Sequence, residues 1–148
     1  MQMFDIIRAQ MAASVPFAKH TGVALLEIGA GTAVAQLEQS ADSVNHIGSQ
    51  HAGALFTLGE TASGGAMSGA FAEMIMSIRP VAAAAEIRYL KIAKGTVTAR
   101  AKTATPPEDL LAVLKAARKA TFDVDVVMSA EDGTDVATMR VVWDVRSR

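Results

Sequence analysis

Glu60 is the only charged side chain in the run HAGALFTLGETASGGAMSGAFAE between His51 and Glu73. A carboxylate in such apolar company loses hydration, and nothing close in sequence offers it a counter-charge. Desolvation raises its pKa, which suits a group that takes a proton from water or attacks a carbonyl itself. His51 lies nine residues before Glu60, and Asn45 six residues before His51. If a helix begins near His51, its first turn offers unpaired N–H groups and a positive dipole end. The Ala52 amide is then placed to stabilise a developing oxyanion. Glu60 falls about two and a half turns further on, roughly 12 Å along the axis. That separation is awkward for one small reaction centre within one chain.

The elements that would hold these groups follow from periodicity. Residues 3–12 read as an amphipathic helix with Phe4, Ile7 and Met11 on one side, interrupted from Pro16 onward. Residues 23–28 and 32–38 read as strands joined by a glycine turn. In the second, Ala33, Ala35 and Leu37 alternate with wetter neighbours. A polar loop over 40–50 leads into a long buried helix over about 51–73. Gly53, Gly59, Gly64, Gly65 and Gly69 lie in it. Each costs about 1 kcal/mol of helix propensity relative to alanine. The expected offset is very close approach of the helix to a sheet or ligand. A connector over 75–80 precedes strands at 83–93 and 95–104. A short helix at 108–119 has acids early and bases late. A final hairpin turns at Asp132 and Gly133. One domain over 1–148 is expected, an α+β architecture with an antiparallel sheet curled around the long helix.

Composition narrows the classes. The chain is 51% apolar, with 14 basic and 15 acidic residues and no cysteine. Nucleic-acid partners are not expected, and neither disulfides nor thiolate catalysis is available. No metal site is expected, since His20 and His46 lack metal-like spacing with acids. The 52–72 segment is long enough to span a bilayer, but its Ala, Gly, Ser and Thr content and Glu60 favour a helix buried in a soluble core. Asp5, Arg8 and Gln10 break up the apolar run a signal peptide needs, so a cytoplasmic location is expected.

The segment NHIGSQHAG at 45–53, followed by Glu60-Thr61-Ala62, resembles the hotdog-fold acyl-CoA thioesterases of the phenylacetate-pathway type. Their pattern is Asn, then His-Gly-Gly six residues on, then Asp or Glu nine residues after that His. The offsets of Asn45, His51 and Glu60 match. The strand order and the run EIRYLKIAKG at 86–95 also fit, so the resemblance covers nearly the whole chain. It implies a hotdog fold and hydrolysis of an acyl-CoA thioester, with coenzyme A as part of the substrate and no separate cofactor. It also implies a homodimer or tetramer in which each site combines the helix start of one subunit with the helix acid of another. The Ala52 amide would polarise the carbonyl, Asn45 would assist it or hold water, and Glu60 would be base or nucleophile. His51 would orient the carbonyl or brace the loop. Gly53, Ser63, Gly64 and Ala82 would border the substrate. Arg88, Lys91 and Lys94 would meet the phosphates of coenzyme A, with Lys115, Arg118 and Lys119 as further basic candidates.

The chain departs from that pattern at three positions. Ala52 replaces the first glycine of the pair, Ala82 stands where some relatives carry a serine, and Gly64 where another branch has a threonine. Both hydroxyls are missing. Binding of an acyl thioester without turnover is therefore a second reading. Other roles stay open for each residue: a structural ion pair for Glu60, helix entry for His51, and loop shaping for Asn45.

Overall fold

The computed structural model describes residues 2–148. Two helices, α1 (Met3–Ser14) and α2 (Pro16–Thr21), precede strands β1 (Val23–Gly29) and β2 (Thr32–Leu37). The long helix α3 (Ala52–Ala70) follows, then a 3₁₀ segment (Ala72–Ser77) and strand β3 (Ile78–Tyr89). Strand β4 (Val97–Thr103), helix α4 (Pro107–Ala117) and strands β5 (Lys119–Ser129) and β6 (Asp135–Ser147) complete the chain. The six strands form one antiparallel sheet in the order β1-β2-β4-β5-β6-β3. α3 lies chiefly across β1, β2 and β4. No helix among the described residues is long and apolar enough to cross a membrane.

Four expectations are corrected. Residues 16–21 form a helix rather than an interruption. Pro16 occupies its first turn, where no intrahelical N–H is needed, and Gly22 closes it at φ 93°. The long helix ends at Ala70, and the 3₁₀ segment continues it to Ser77. The connector expected over 75–80 is in part strand, because β3 already begins at Ile78. Pro80 fits within β3 because this strand is the sheet edge, where a missing N–H breaks no ladder. Residues 90–93 lie beyond the strand.

Alternation decides which faces are dry. Val97, Ala99 and Ala101 of β4 are buried under α3, as are Ala33, Ala35 and Leu37 of β2. Ala33 pairs with Ala101 and Ala35 with Ala99, so the helix rests on a floor of paired alanines. The helix glycines match that floor. A Cβ on Gly65 would sit 2.8 Å from Ala33 Cβ and 3.0 Å from Leu25 Cδ1. At Gly69 it would collide with the backbone oxygen of Gly29. Gly64 differs, since its added Cβ would make ordinary contact at 3.5 Å with the Trp143 ring and 3.6 Å with Met11 Cε.

Gly69→Ala is therefore expected to destabilise the protein by about 3 kcal/mol, because a backbone atom cannot rotate away. Gly64→Ala should be neutral or slightly stabilising through helix propensity. Urea unfolding of the two variants against the parent checks the contrast.

Candidate functional site

The loop before α3 is held by its own polar side chains. Asn45 Oδ1 accepts from the backbone N–H of Ile47 and of Ser49, both at 3.1 Å. Asn45 Nδ2 donates to Ser49 Oγ at 2.8 Å and to the Gln50 carbonyl at 3.5 Å. Every hydrogen-bonding group of Asn45 is thus engaged inside the loop. Gln50 is buried and ties the loop to the connection between β3 and β4. Its Nε2 donates to the Gly95 carbonyl at 2.9 Å, and its backbone N–H to the Ala93 carbonyl at 2.8 Å.

His51 is the N-cap of α3. Its Nδ1 accepts the Gly53 N–H at 2.8 Å, which assigns the ring proton of the neutral form to Nε2. One amide of the first turn is therefore taken. The Ala52 N–H has no hydrogen-bond partner among the described residues. Ala52 is also not among the positive-φ residues, so replacing a glycine there leaves the donor intact. The Ala52 carbonyl accepts from the hydroxyl of Tyr89 at 3.0 Å.

A groove of about 350 Å³ opens at this helix start, bordered by Asn45, Ile47, Ala52, Tyr89, Lys91 and Ile92. His51 and Gly53 face a smaller depression of about 230 Å³ with Phe17, His20 and Asp42. Lys91 also borders a third depression with Lys94, Glu131 and Asp132. There the Thr134 amide donates to Asp132 and keeps its carboxyl below the ordinary range. Lys94 thus shares its surroundings with two acids.

The carboxylate of Glu60 accepts no hydrogen bond and forms no ion pair among the described residues. The side chain is half-buried, and burial raises its carboxyl above the ordinary glutamate range. The structural ion pair left open by the sequence does not form among the described residues. By helical rise Glu60 remains roughly 12 Å from Ala52 in the same chain.

Other expected site residues are placed elsewhere. Ser63 is fully buried, donating to the Glu60 carbonyl at 2.7 Å and accepting the Trp143 indole N–H at 3.1 Å. It has no open face toward a substrate. Gly64 is covered by Trp143 and Met11. Ala82 lies exposed on β3, opposite Trp143 in register and next to a bulge. Arg88 pairs with Glu86 at 3.2 Å and borders a different surface with Asp125 and Arg140. Strand alternation explains this: Tyr89 turns toward α3, so Arg88 turns to the opposite face. Lys115 pairs with Glu73 at 3.1 Å, while Arg118 and Lys119 lie where α4 passes into β5.

Sequence reasoning passed over Tyr89 and Gln50. Tyr89 is the only tyrosine in the chain and sits in a strand otherwise rich in alanine, which was the available signal. Nothing local marked Gln50, whose partners at Leu37 and Gly95 are remote in sequence.

Comparison with solved structures gives the fold. A Pseudomonas aeruginosa protein of unknown function, described as a probable thioesterase, superposes with a TM-score of 0.83 at 24% identity, covering 97% of this chain and 95% of its own. The PaaI protein from the phenylacetic acid degradation operon of E. coli superposes with a TM-score of 0.71 at 23% identity, covering 98% and 94%. A Staphylococcus aureus thioesterase enzyme, solved as a mutant, gives 0.71 at 19% identity, covering 89% and 99%. At these identities the likeness concerns the fold, which is the hotdog fold expected from the sequence. No curated protein matches the chain in sequence. A family model described as a domain of unknown function, DUF4442, matches residues 5–145, and the chain belongs to that family.

Proposed function

We propose that the protein hydrolyses acyl-CoA thioesters, with Glu60 as the reacting carboxylate. The observation that carries this reading is the unpaired, half-buried Glu60 carboxyl on the helix whose first turn keeps a free amide at Ala52. A carboxylate held without a counter-charge is a basic one. A free amide at a positive helix end suits the oxyanion of acyl transfer. In the reaction, water adds to the thioester carbonyl and gives its proton to Glu60. The tetrahedral oxyanion accepts the Ala52 N–H. The C–S bond then breaks, and the proton on Glu60 passes to the departing thiolate, leaving a carboxylic acid and free coenzyme A. Direct attack by Glu60 would instead form a mixed anhydride as the C–S bond breaks and the coenzyme A thiolate leaves, and attack of ¹⁸O-water on the Glu60 carbonyl of that anhydride would label the side chain.

Asn45 acts in this scheme through the loop. With its groups engaged by residues 47–50, it holds the approach to Ala52 rather than touching the carbonyl. His51 fixes the first turn through Gly53. Lys91, on the rim of the Ala52 groove, is the best placed of the bases for a phosphate of coenzyme A.

The roughly 12 Å between Ala52 and Glu60 is bridged if each site draws on two chains. Support for a dimer comes from β3, an exposed edge strand of 12 residues with free backbone donors and acceptors. Apolar Val81, Leu90 and Ile92 are 53%, 51% and 66% exposed on and just beyond it. One further observation favours binding without turnover: the Asn45 and Ser63 side chains are already satisfied, so few hydroxyl or amide groups remain to hold water.

Glu60→Gln is expected to keep the fold and lower kcat by about 10²–10⁴-fold. The parent rate should rise with pH through an inflection above the ordinary glutamate range, measured by thiol release over short, medium, long and aromatic acyl-CoAs. Zero turnover with saturable acyl-CoA binding would move the protein to the binding class.

Stability should respond to the same substitution. The folded-state pKa of Glu60 is raised, so its contribution is most favourable below the unfolded pKa and is lost as pH rises through the folded value. Glu60→Gln should therefore be more stable than the parent at pH 7, the difference disappearing in acid. Thermal unfolding between pH 3 and 8 measures it.

Light scattering should give at least a dimer, and a stable monomer would overturn the shared site.

A further inference from the structure

A further concave surface lies where α1 and α2 lean on β1. It encloses about 640 Å³, within the range of small-molecule sites. Its walls are apolar: Met11 and Val15 on the helical side, Leu25 and Leu26 on the strand side. Two cations border it, Arg8 and Lys19, and no acidic side chain does. Neither cation forms an ion pair among the described residues.

Thr61 of α3 also borders the groove. Thr57 and Ser63 of the same helix each return their hydroxyl to a backbone carbonyl, at 2.9 and 2.7 Å. Thr61 Oγ1 does not, and it is shielded from solvent without any partner while its residue borders the groove. A buried hydroxyl costs free energy until something bonds it. An apolar bed bordered by two cations complements one chemistry: an aliphatic chain ending in an anionic oxygen group.

We propose that this groove binds a free, single-chain fatty carboxylate of medium length, with the chain along Met11, Val15, Leu25 and Leu26 and the carboxylate toward Arg8 and Lys19. The assignment does not rest on thioester hydrolysis. If the protein is a thioesterase, the ligand belongs to the class of its acid product, held apart from the helix start.

Titration calorimetry with hexanoate, octanoate and decanoate below their micellar concentrations, with decanol as the uncharged comparator, tests this. Saturable binding of one carboxylate per chain is expected, strengthening about tenfold for every two methylenes added. Ala12→Trp fills the groove from the helical wall and Ala24→Trp from the strand wall. Both positions are exposed, so the variants should fold, and each should weaken decanoate at least tenfold. Arg8→Gln combined with Lys19→Gln should weaken decanoate at least fivefold and leave decanol unchanged.

No saturable binding, affinity independent of chain length, or full binding by both filled variants would overturn the proposal. So would binding only to vesicles of phosphatidylglycerol, or self-association that the filling substitutions abolish. Acyl-CoA hydrolysis measured on the same preparations keeps the two readings apart. Loss of decanoate binding in Ala12→Trp with turnover retained supports a separate groove. Absence of turnover in the parent alongside intact decanoate binding would remove only the hydrolase reading.

Discussion

The structure depends on how low α3 can sit on the sheet. Paired alanines on β2 and β4 lower the floor, and Gly65 and Gly69 remove the bulk that would lift the helix off it. A single Cβ at Gly69 would displace the backbone of β1. Glycine is unfavourable within a helix by about 1 kcal/mol relative to alanine. Close packing against Leu25, Ala33 and the end of β1 offsets that cost. Because the helix is fixed at this height, its start meets the end of β3, where the Tyr89 hydroxyl reaches the Ala52 carbonyl. The rest of the site follows from that placement.

The same constraint explains how the helix keeps Glu60 without a counter-charge. Ala62 and Ala66 are fully buried in the core, and Ser63 is locked between the Glu60 carbonyl and the Trp143 indole. The backbone around Glu60 is therefore held by packing and by bonds to its main chain, none of which neutralises the carboxylate. An ion pair would have stabilised the charge and made a poorer base. The raised pKa is a cost to folding at neutral pH that a tightly packed helix tolerates.

Much of this was legible in the residues. Strict alternation identified β4, β5 and β6, and the glycine content of the long helix pointed to close approach before any partner was known. The spacing of Asn45, His51 and Glu60 marked the loop, the cap and the acid. Less legible was whatever depends on remote partners. Whether Ser63 was free depended on Trp143, eighty residues away. Strand alternation from Tyr89 sets the face on which Arg88 lies, beside Glu86, and the residue run alone did not show that. The start of β3 was hidden because Pro80 signals a break, and only an edge position makes it compatible with a strand.

The roles of Asn45, Gln50 and His51 share one logic. Asn45 and His51 spend polar atoms on the loop and the first helical turn, Gln50 donates to the carbonyls of Leu37 and Gly95, and the Ala52 amide stays open. Preorganised donors stabilise charge better than mobile ones, because no reorganisation is needed when the charge develops. A site built this way tolerates change in the side chain that carries the donor, since only backbone direction matters. Alanine in place of glycine at position 52 is such a change, and its non-positive φ keeps the amide within the helical turn. The missing hydroxyls at Ala82 and Gly64 are a different matter, because a side-chain group that orients water has no backbone substitute. Under the proposed hydrolysis the demand for water positioning would fall on Glu60, whose carboxylate has no partner among the described residues.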